Sequence, residues 1–166
     1  MMDLLIFSDS HGRADAMQAV LDRQIRTPDA VIFLGDGLRD IQWLDTNGST
    51  LFDVRGNCDW FLGGDTPDER TLSFEGHKLL LTHGHAYGVK GGTGALVKYA
   101  QSVGANIVMF GHTHTPICET VPAGTVIGGE PIARPIYLFN PGSVAGGSFG
   151  TLMLRGENVL FSHGTV

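Results

Sequence analysis

The sequence predicts a mixed α/β fold, and three features carry that prediction. Short apolar runs of strand length alternate with segments whose apolar residues recur three or four positions apart. Strands alternating with helices favour a largely parallel sheet. The closing third instead has short β runs separated by Gly- and Pro-rich turns, where antiparallel pairing is expected to dominate.

The elements follow in order. Residues 3–8 (DLLIFS) read as a buried strand, and residues 14–25 place Met17, Val20, Leu21 and Ile25 on one helical face. AVIFL (30–34) is a strand, LRDIQWL (38–44) a short helix and TLFDVR (50–55) a third strand. A loop over 56–68 leads into a hairpin that turns at Glu75-Gly76. Residues 94–103 form a helix with Leu96, Val97 and Ala100 inward, and NIVMF (106–110) returns as a buried strand. ICETV, PIYLF, GTLML and NVLFS complete the chain as shorter strands.

With 166 residues, 42% hydrophobic and 17% charged, the chain has the size and composition of one globular domain, 1–166. Its 24 glycines point to many tight turns. A net charge of −6 without a Lys/Arg cluster argues against general nucleic-acid binding. Small anionic ligands stay open, because a bound cation reverses the local field. The first residues, MMDLLIFSDSHG, lack a basic leader and their apolar run is too short to span a membrane, so a cytoplasmic location is expected. Two cysteines, Cys58 and Cys118, suit a reducing compartment.

Polar residues collect directly after the apolar strands. The first strand ends in Ser8-Asp9-Ser10-His11-Gly12, the second in Gly35-Asp36-Gly37 and the third in Gly56-Asn57-Cys58-Asp59. The later strands end in His83-Gly84-His85 and Gly111-His112-Thr113-His114. In a parallel sheet these clusters meet at the carboxyl edge, where α/β proteins place their ligand sites. Five of the 7 histidines lie there, and only His77 and His163 lie elsewhere. Imidazole, carboxylate and amide oxygen suit borderline divalent metals such as Zn²⁺, Mn²⁺, Fe²⁺ or Ni²⁺. Residues i and i+2 of an extended segment face one side, so His112 and His114, like Asp9 and His11, can address one site. The inventory exceeds one ion's needs and is read as two metals sharing a carboxylate.

Asp9-x-His11, Gly35-Asp36, Gly56-Asn57-Cys58-Asp59, His83-Gly84-His85 and Gly111-His112-Thr113-His114, in that order, resemble the signature of the calcineurin-like metallophosphoesterases. The compact size and the GNCD and HGH variants are similar to the YfcE-like small phosphodiesterases, and Asn140-Pro141-Gly142-Ser143 recurs in small members. The resemblance implies a four-layer α/β/β/α sandwich of two mixed sheets flanked by helices, with the metal site at the carboxyl ends of the strands. It assigns one metal to Asp9, His11, Asp36 and His114, and the other to Asp36, Asn57, His83 and His112, with Asp36 bridging. Two such ions lower the pKa of a bridging water and clamp a phosphoryl oxygen, so no nucleophilic side chain is needed. Mn²⁺ is the first expectation, with Ni²⁺, Fe²⁺ or Zn²⁺ as alternatives.

Larger relatives carry a histidine where this chain has Cys58, which leaves the general acid open. A weakened acid favours aryl or otherwise activated diesters over alkyl monoesters. Among the expected catalytic residues, His85 is the substitute acid or phosphate contact, Asn57 is a ligand, and Asp59 either orients its neighbours or serves as a turn residue. Segment 121–135 is read as an added hairpin at the pocket rim or an oligomer contact. GVKGGTG (88–94) lacks the Gly-Lys-Ser/Thr of a nucleotide loop and reads as a helix entry. Residues 140–143 are a turn supporting the histidine loop, Trp43 is core or rim, and Trp60 is the better rim aromatic. The expected partner is a small anionic phosphoester, with no membrane, and homo-oligomer formation is compatible with the sequence. Two other functions remain in view: a non-catalytic scaffold of the retromer-subunit kind, and a phosphomonoesterase.

Overall fold

The computed structural model describes residues 1–166 except Gly63, which belongs to the expected loop 56–68 and lies outside the described residues. Two five-stranded sheets form its centre. The first runs β12-β11-β1-β2-β3, built from β1 (Met2–Phe7), β2 (Ala30–Phe33), β3 (Thr50–Asp53), β11 (Ser148–Arg155) and β12 (Asn158–Thr165). The second runs β4-β5-β6-β10-β7, from β4 (Glu69–Phe74), β5 (His77–Thr82), β6 (Ile107–Met109), β7 (Ile117–Val121) and β10 (Ile136–Asn140). Parallel β1, β2 and β3 carry antiparallel β11 and β12 on one side, and parallel β5, β6 and β10 carry antiparallel β4 and β7 at the two edges.

Period-two alternation explains why the sheets stack. Leu4 and Ile6 of β1, Ala30 and Ile32 of β2, Leu79 and Leu81 of β5, and Ile107 and Met109 of β6 meet in one buried cluster between the sheets. The alternate residues Leu5, Phe7, Val31 and Phe33 face outward and are covered by α1 (Ala14–Asp22), through Met17, Val20 and Leu21, and by α2 (Leu38–Ile41). Leu80, Val108 and Leu138 on the far side are covered by Leu96, Val97 and Ala100 of α3 (Gly94–Ser102). The layers are therefore α/β/β/α. Strands apolar on both faces are what such a sandwich requires.

Several local expectations change. Helix α1 stops at Asp22, because the side chains of Arg23 and Gln24 turn back to the carbonyls of Ala19 and Val20 while the chain swings toward β2. Ile25 is consequently fully exposed instead of lying on the buried helical face. Helix α2 is shorter than 38–44, and Trp43 projects into solvent. Antiparallel pairing does dominate the C-terminal third, as expected, and the parallel pairing there is that of β10 with β6. The Glu75-Gly76 turn occurs as expected, with positive φ at both residues (50° and 82°), as a tight hairpin demands.

Segment 121–135 does form a hairpin, β8 (Val126–Ile127) with β9 (Glu130–Pro131). Ile127 and Ile132 pack it onto the apolar cluster around α3. It does not line the pocket beside the histidine clusters, which corrects the rim expectation.

Candidate metal centre

Strands β1, β2 and β3 of one sheet and β5 and β6 of the other deliver five loops to a common edge. Backbone bonds lace these loops together: Asp9 N–H donates to Gly35 O (2.9 Å), His11 N–H to Asp36 O (3.3 Å) and Gly111 N–H to His83 O (3.1 Å). The packing leaves little room for Cβ atoms. One added at Gly111 would lie 2.0 Å from Ser8 Oγ and 2.7 Å from Asp9 Oδ2, and one at Gly56 would lie 2.1 Å from Asp36 Oδ1.

The loops are also strained. Non-glycine residues with positive φ include Asp9 (52°), His11 (44°), Asp36 (60°), His112 (65°) and His114 (60°), all of them expected ligands. Each such residue costs roughly 1–2 kcal/mol. Strain of this kind persists where the surrounding structure holds it, and it concentrates at functional sites.

Two clusters result: Asp9, His11 and His114, and Asp36, His83 and His112, each with its ligand atoms within 4.8 Å of one another. The His112/His114 pair is thus divided between them. Nε2 of His11 and of His114 are 3.3 Å apart, and His114 Nε2 lies 3.0 Å from Asp9 Oδ1. In the second cluster His83 Nε2 lies 3.2 Å from Asp36 Oδ2 and 3.1 Å from Asn57 Oδ1, which brings Asn57 to that cluster. Asp9 Oδ1 is fully buried without a hydrogen-bond partner, although imidazole nitrogens from both clusters approach it.

The donor chemistry fits divalent cations. His83 is buried, and its Nδ1–H donates to Leu34 O at 2.7 Å. That bond leaves Nε2 facing the two oxygens, as a proton donor to Asp36 in the metal-free protein and, once deprotonated, as the lone pair that a metal-ligating imidazole offers. Burial pushes the Asp36 carboxyl up, but hydrogen bonds from His83 and the Cys58 N–H, with the His83 charge, outweigh it and hold Asp36 well below the usual carboxylate range. Burial and then the His83 charge hold His85 and His112 below the ordinary imidazole range. Burial followed by Asp36 pushes the Cys58 thiol up, so it stays protonated and contributes its backbone N–H (2.7 Å to Asp36 Oδ1).

Asp59 is buried, and its carboxylate accepts four backbone N–H groups: Gly37 (3.0 Å) and Leu38 (3.1 Å) at Oδ1, Asp36 (2.8 Å) and Gly56 (2.9 Å) at Oδ2. These bonds tie the loop after β2 and the start of α2 to the loop after β3. Asn140 plays the matching part for the histidine loop, donating from Nδ2 to Gly111 O (2.9 Å) and to Thr113 Oγ1 (3.1 Å). Thr113 therefore faces its support and not the clusters. His77 and His163 are structural: their Nε2–H groups donate to Gly156 O and Asn140 O.

Sequence reasoning missed Asp40, whose Oδ2 accepts Ser10 Oγ–H (2.5 Å) and Gly12 N–H (2.8 Å). Ser143, within the turn read as support for the histidine loop, holds the loop after β1, its hydroxyl donating to Asp9 O (2.9 Å). The one available signal for Asp40 was a carboxylate between the inward Leu38 and Ile41. It also missed Arg55 and Asp68. With Gly56, Asn57, Trp60 and His85 these line a pocket of about 280 Å³ beside the second cluster.

Fold and site together define a two-sheet α/β protein with paired clusters suited to divalent cations at its strand ends. The chain belongs to the calcineurin-like phosphoesterase superfamily, whose domain profile matches residues 2–158, and with that family it is a metal-dependent phosphoester hydrolase. It is 34% identical over 146 residues to the probable metallophosphoesterase YsnB of Bacillus subtilis, covering 86% of this chain and 75% of that one. It is 28% identical over 172 residues to the phosphodiesterase YfcE of Escherichia coli, covering 87% and 80%. The Zn²⁺ complex of Vps29 from Entamoeba histolytica shares the fold, with a TM-score of 0.74, 23% identity and 99% of each chain covered. Among the described residues no helix is long and apolar enough to cross a membrane.

Proposed function

We propose that this chain is a dinuclear metal-dependent phosphodiesterase, one catalytic domain over residues 1–166, acting on a small anionic phosphoester in the cytoplasm. The observation that carries this reading is the orphaned Asp9 Oδ1, which lies 3.0, 3.7 and 3.8 Å from Nε2 of His114, His11 and His83. A buried carboxylate oxygen that faces three imidazole nitrogens without a hydrogen bond suits a cation among them. Asp9, His11, Asp36 and His114 would hold one ion, and Asp36, Asn57, His83 and His112 the other. The carboxylate and amide oxygens among these ligands favour Mn²⁺ as the first choice, with Ni²⁺, Fe²⁺ and Zn²⁺ served by the imidazoles. Bound there, such a pair supplies Lewis-acid polarisation of a phosphoryl oxygen and a water acidic enough to ionise at neutral pH.

The chain's own residues orient and select. Asp59 fixes the backbone that presents Asp36 and Asn57, and the Leu34 carbonyl fixes the His83 ring. His85, held below the ordinary imidazole range, is neutral at pH 7 and donates one N–H, which suits a phosphate contact better than a proton donor. The pocket of about 280 Å³ beside His85 supports a diester over a monoester, because it has room for a second ester group. The likeness to the phosphodiesterase YfcE points the same way. Turnover of an aryl phosphodiester by Mn²⁺-reconstituted protein, lost in Asp36→Asn, is the expected result, and unaltered hydrolysis by that variant overturns it. Faster turnover of the matching monoester would assign a phosphomonoesterase instead.

The fold shared with Vps29 supports a second reading, a non-catalytic interaction scaffold. A metal-replete protein inert across a broad phosphoester panel would favour it.

A further inference from the structure

We propose that the pocket beside the second cluster is a leaving-group subsite for a heteroaromatic ring of the nucleobase type, with Trp60 as its stacking and specificity-determining residue. The proposal rests on the phosphodiesterase reading, since it places the ring on an ester arm of the substrate. Trp60 is 80% exposed and so has no role in the core, yet it lines the pocket together with Arg55, Gly56, Asn57, Asp68 and His85. Its backbone is well anchored: the preceding Asp59 is buried under four backbone N–H bonds, and Leu62 N–H closes a turn onto Asp59 O at 3.2 Å. An exposed aromatic on a fixed backbone loses little freedom when a ring stacks on it.

The rest of the lining is polar and itself held. Arg55 Nε donates to Asp68 Oδ1 at 2.9 Å, and the Arg55 backbone N–H donates to Pro67 O at 2.9 Å. Guanidinium donors, a carboxylate acceptor and the Asn57 amide thus belong to residues lining the same pocket as Trp60. The Arg55–Asp68 pair leaves further guanidinium N–H groups and carboxylate lone pairs over, which a ring bearing its own donors and acceptors can use while stacking and a plain hydrocarbon ring cannot. Asn57 joins the pocket to the second cluster through its 3.1 Å approach to His83 Nε2, so an occupant of the pocket lies next to a phosphorus held at the clusters. Trp43 is just as exposed (79%) but is not among the residues lining the pocket, which makes it a natural control.

The test uses Mn²⁺-loaded Trp43→Phe protein, in which Trp60 is the sole tryptophan, with AMP and ribose 5-phosphate as probes. Saturable quenching of Trp60 fluorescence by AMP, none by ribose 5-phosphate, and calorimetric affinity about tenfold tighter for AMP are expected from base–aromatic stacking. Trp60→Ala should erase that tenfold difference and leave ribose 5-phosphate binding unchanged, while Trp60→Phe should retain most of it. Equal affinity for the two probes, or an equal loss for both in Trp60→Ala, overturns the subsite. Because binding is read without turnover, failure of the subsite with aryl-diester hydrolysis intact is distinct from failure of the phosphodiesterase reading.

Discussion

Asp59→Asn is the most informative perturbation outside the ligand set. Each Asp59 carboxylate oxygen accepts two backbone N–H groups, and all four belong to the loops that carry Asp36 and Asn57. Asparagine keeps one acceptor oxygen and puts an NH₂ in place of the other, so two buried donors face a donor. At about 1–3 kcal/mol for each unsatisfied buried group, with the loss of charge-assisted bonding in addition, the expected destabilisation is roughly 3–5 kcal/mol. Against the roughly 5–15 kcal/mol of a typical domain, that is a large fraction. Urea denaturation of metal-free protein reads it as a lower midpoint at an unchanged slope. Metal titration supplies the second readout. Asp36 is held at φ 60° partly by its N–H bond to Asp59, so its release should weaken the second cluster more than the first. A loss below about 1 kcal/mol with unaltered metal binding would refute the positioning role.

Other expectations follow from the same geometry. His114→Ala should weaken the ion at Asp9 and His11, and His112→Ala the ion at Asp36 and His83, as read by metal titration; loss of the same ion first in both variants contradicts the division. Because the Asp36 carboxyl is held below its ordinary value in the fold, its contribution to the metal-free protein is present above about pH 4 and lost as pH falls through the lowered folded value. Asp36→Asn should therefore flatten the acid limb of the melting temperature against pH, and an unchanged limb assigns acid unfolding elsewhere. Gly111→Ala, with its Cβ 2.0 Å from Ser8 Oγ, should cost about 1–3 kcal/mol in chemical denaturation and reduce metal affinity by displacing Asp9.

What the sequence disclosed was periodic or punctuated. Apolar runs such as AVIFL, each followed at once by a polar cluster, marked strands and their carboxyl ends, and the sheets placed Asp9, Asp36, Asn57, His83 and His112 together accordingly. Less legible was whatever depends on partners distant in the chain. Helix α1 ends at Asp22 because Arg23 and Gln24 fold back on it, while the apolar spacing through Ile25 said otherwise. The parallel pairing of β10 with β6 is a matter of sheet order, which local turn chemistry does not encode. The two roles open for Asp59 could not be separated, and Asp40 escaped notice, since nothing local shows that their oxygens are taken by backbone donors and a serine. The pocket wall joins Arg55 and Asp68 across 13 positions, a separation without periodicity.

The two clusters do not divide by sheet. Asp9 and His11 follow β1 in one sheet while His114 follows β6 in the other, and Asp36 follows β2 while His83 and His112 follow β5 and β6. An ion held in either cluster is therefore a cross-link between the two halves of the sandwich, closing a loop of more than a hundred residues between Asp9 and His114. Like a disulfide, such a clip restricts the unfolded chain most when the loop it closes is long. Neither half carries a complete ligand set, so tight ion binding waits until the sheets have docked, and occupancy reports that the whole sandwich has assembled.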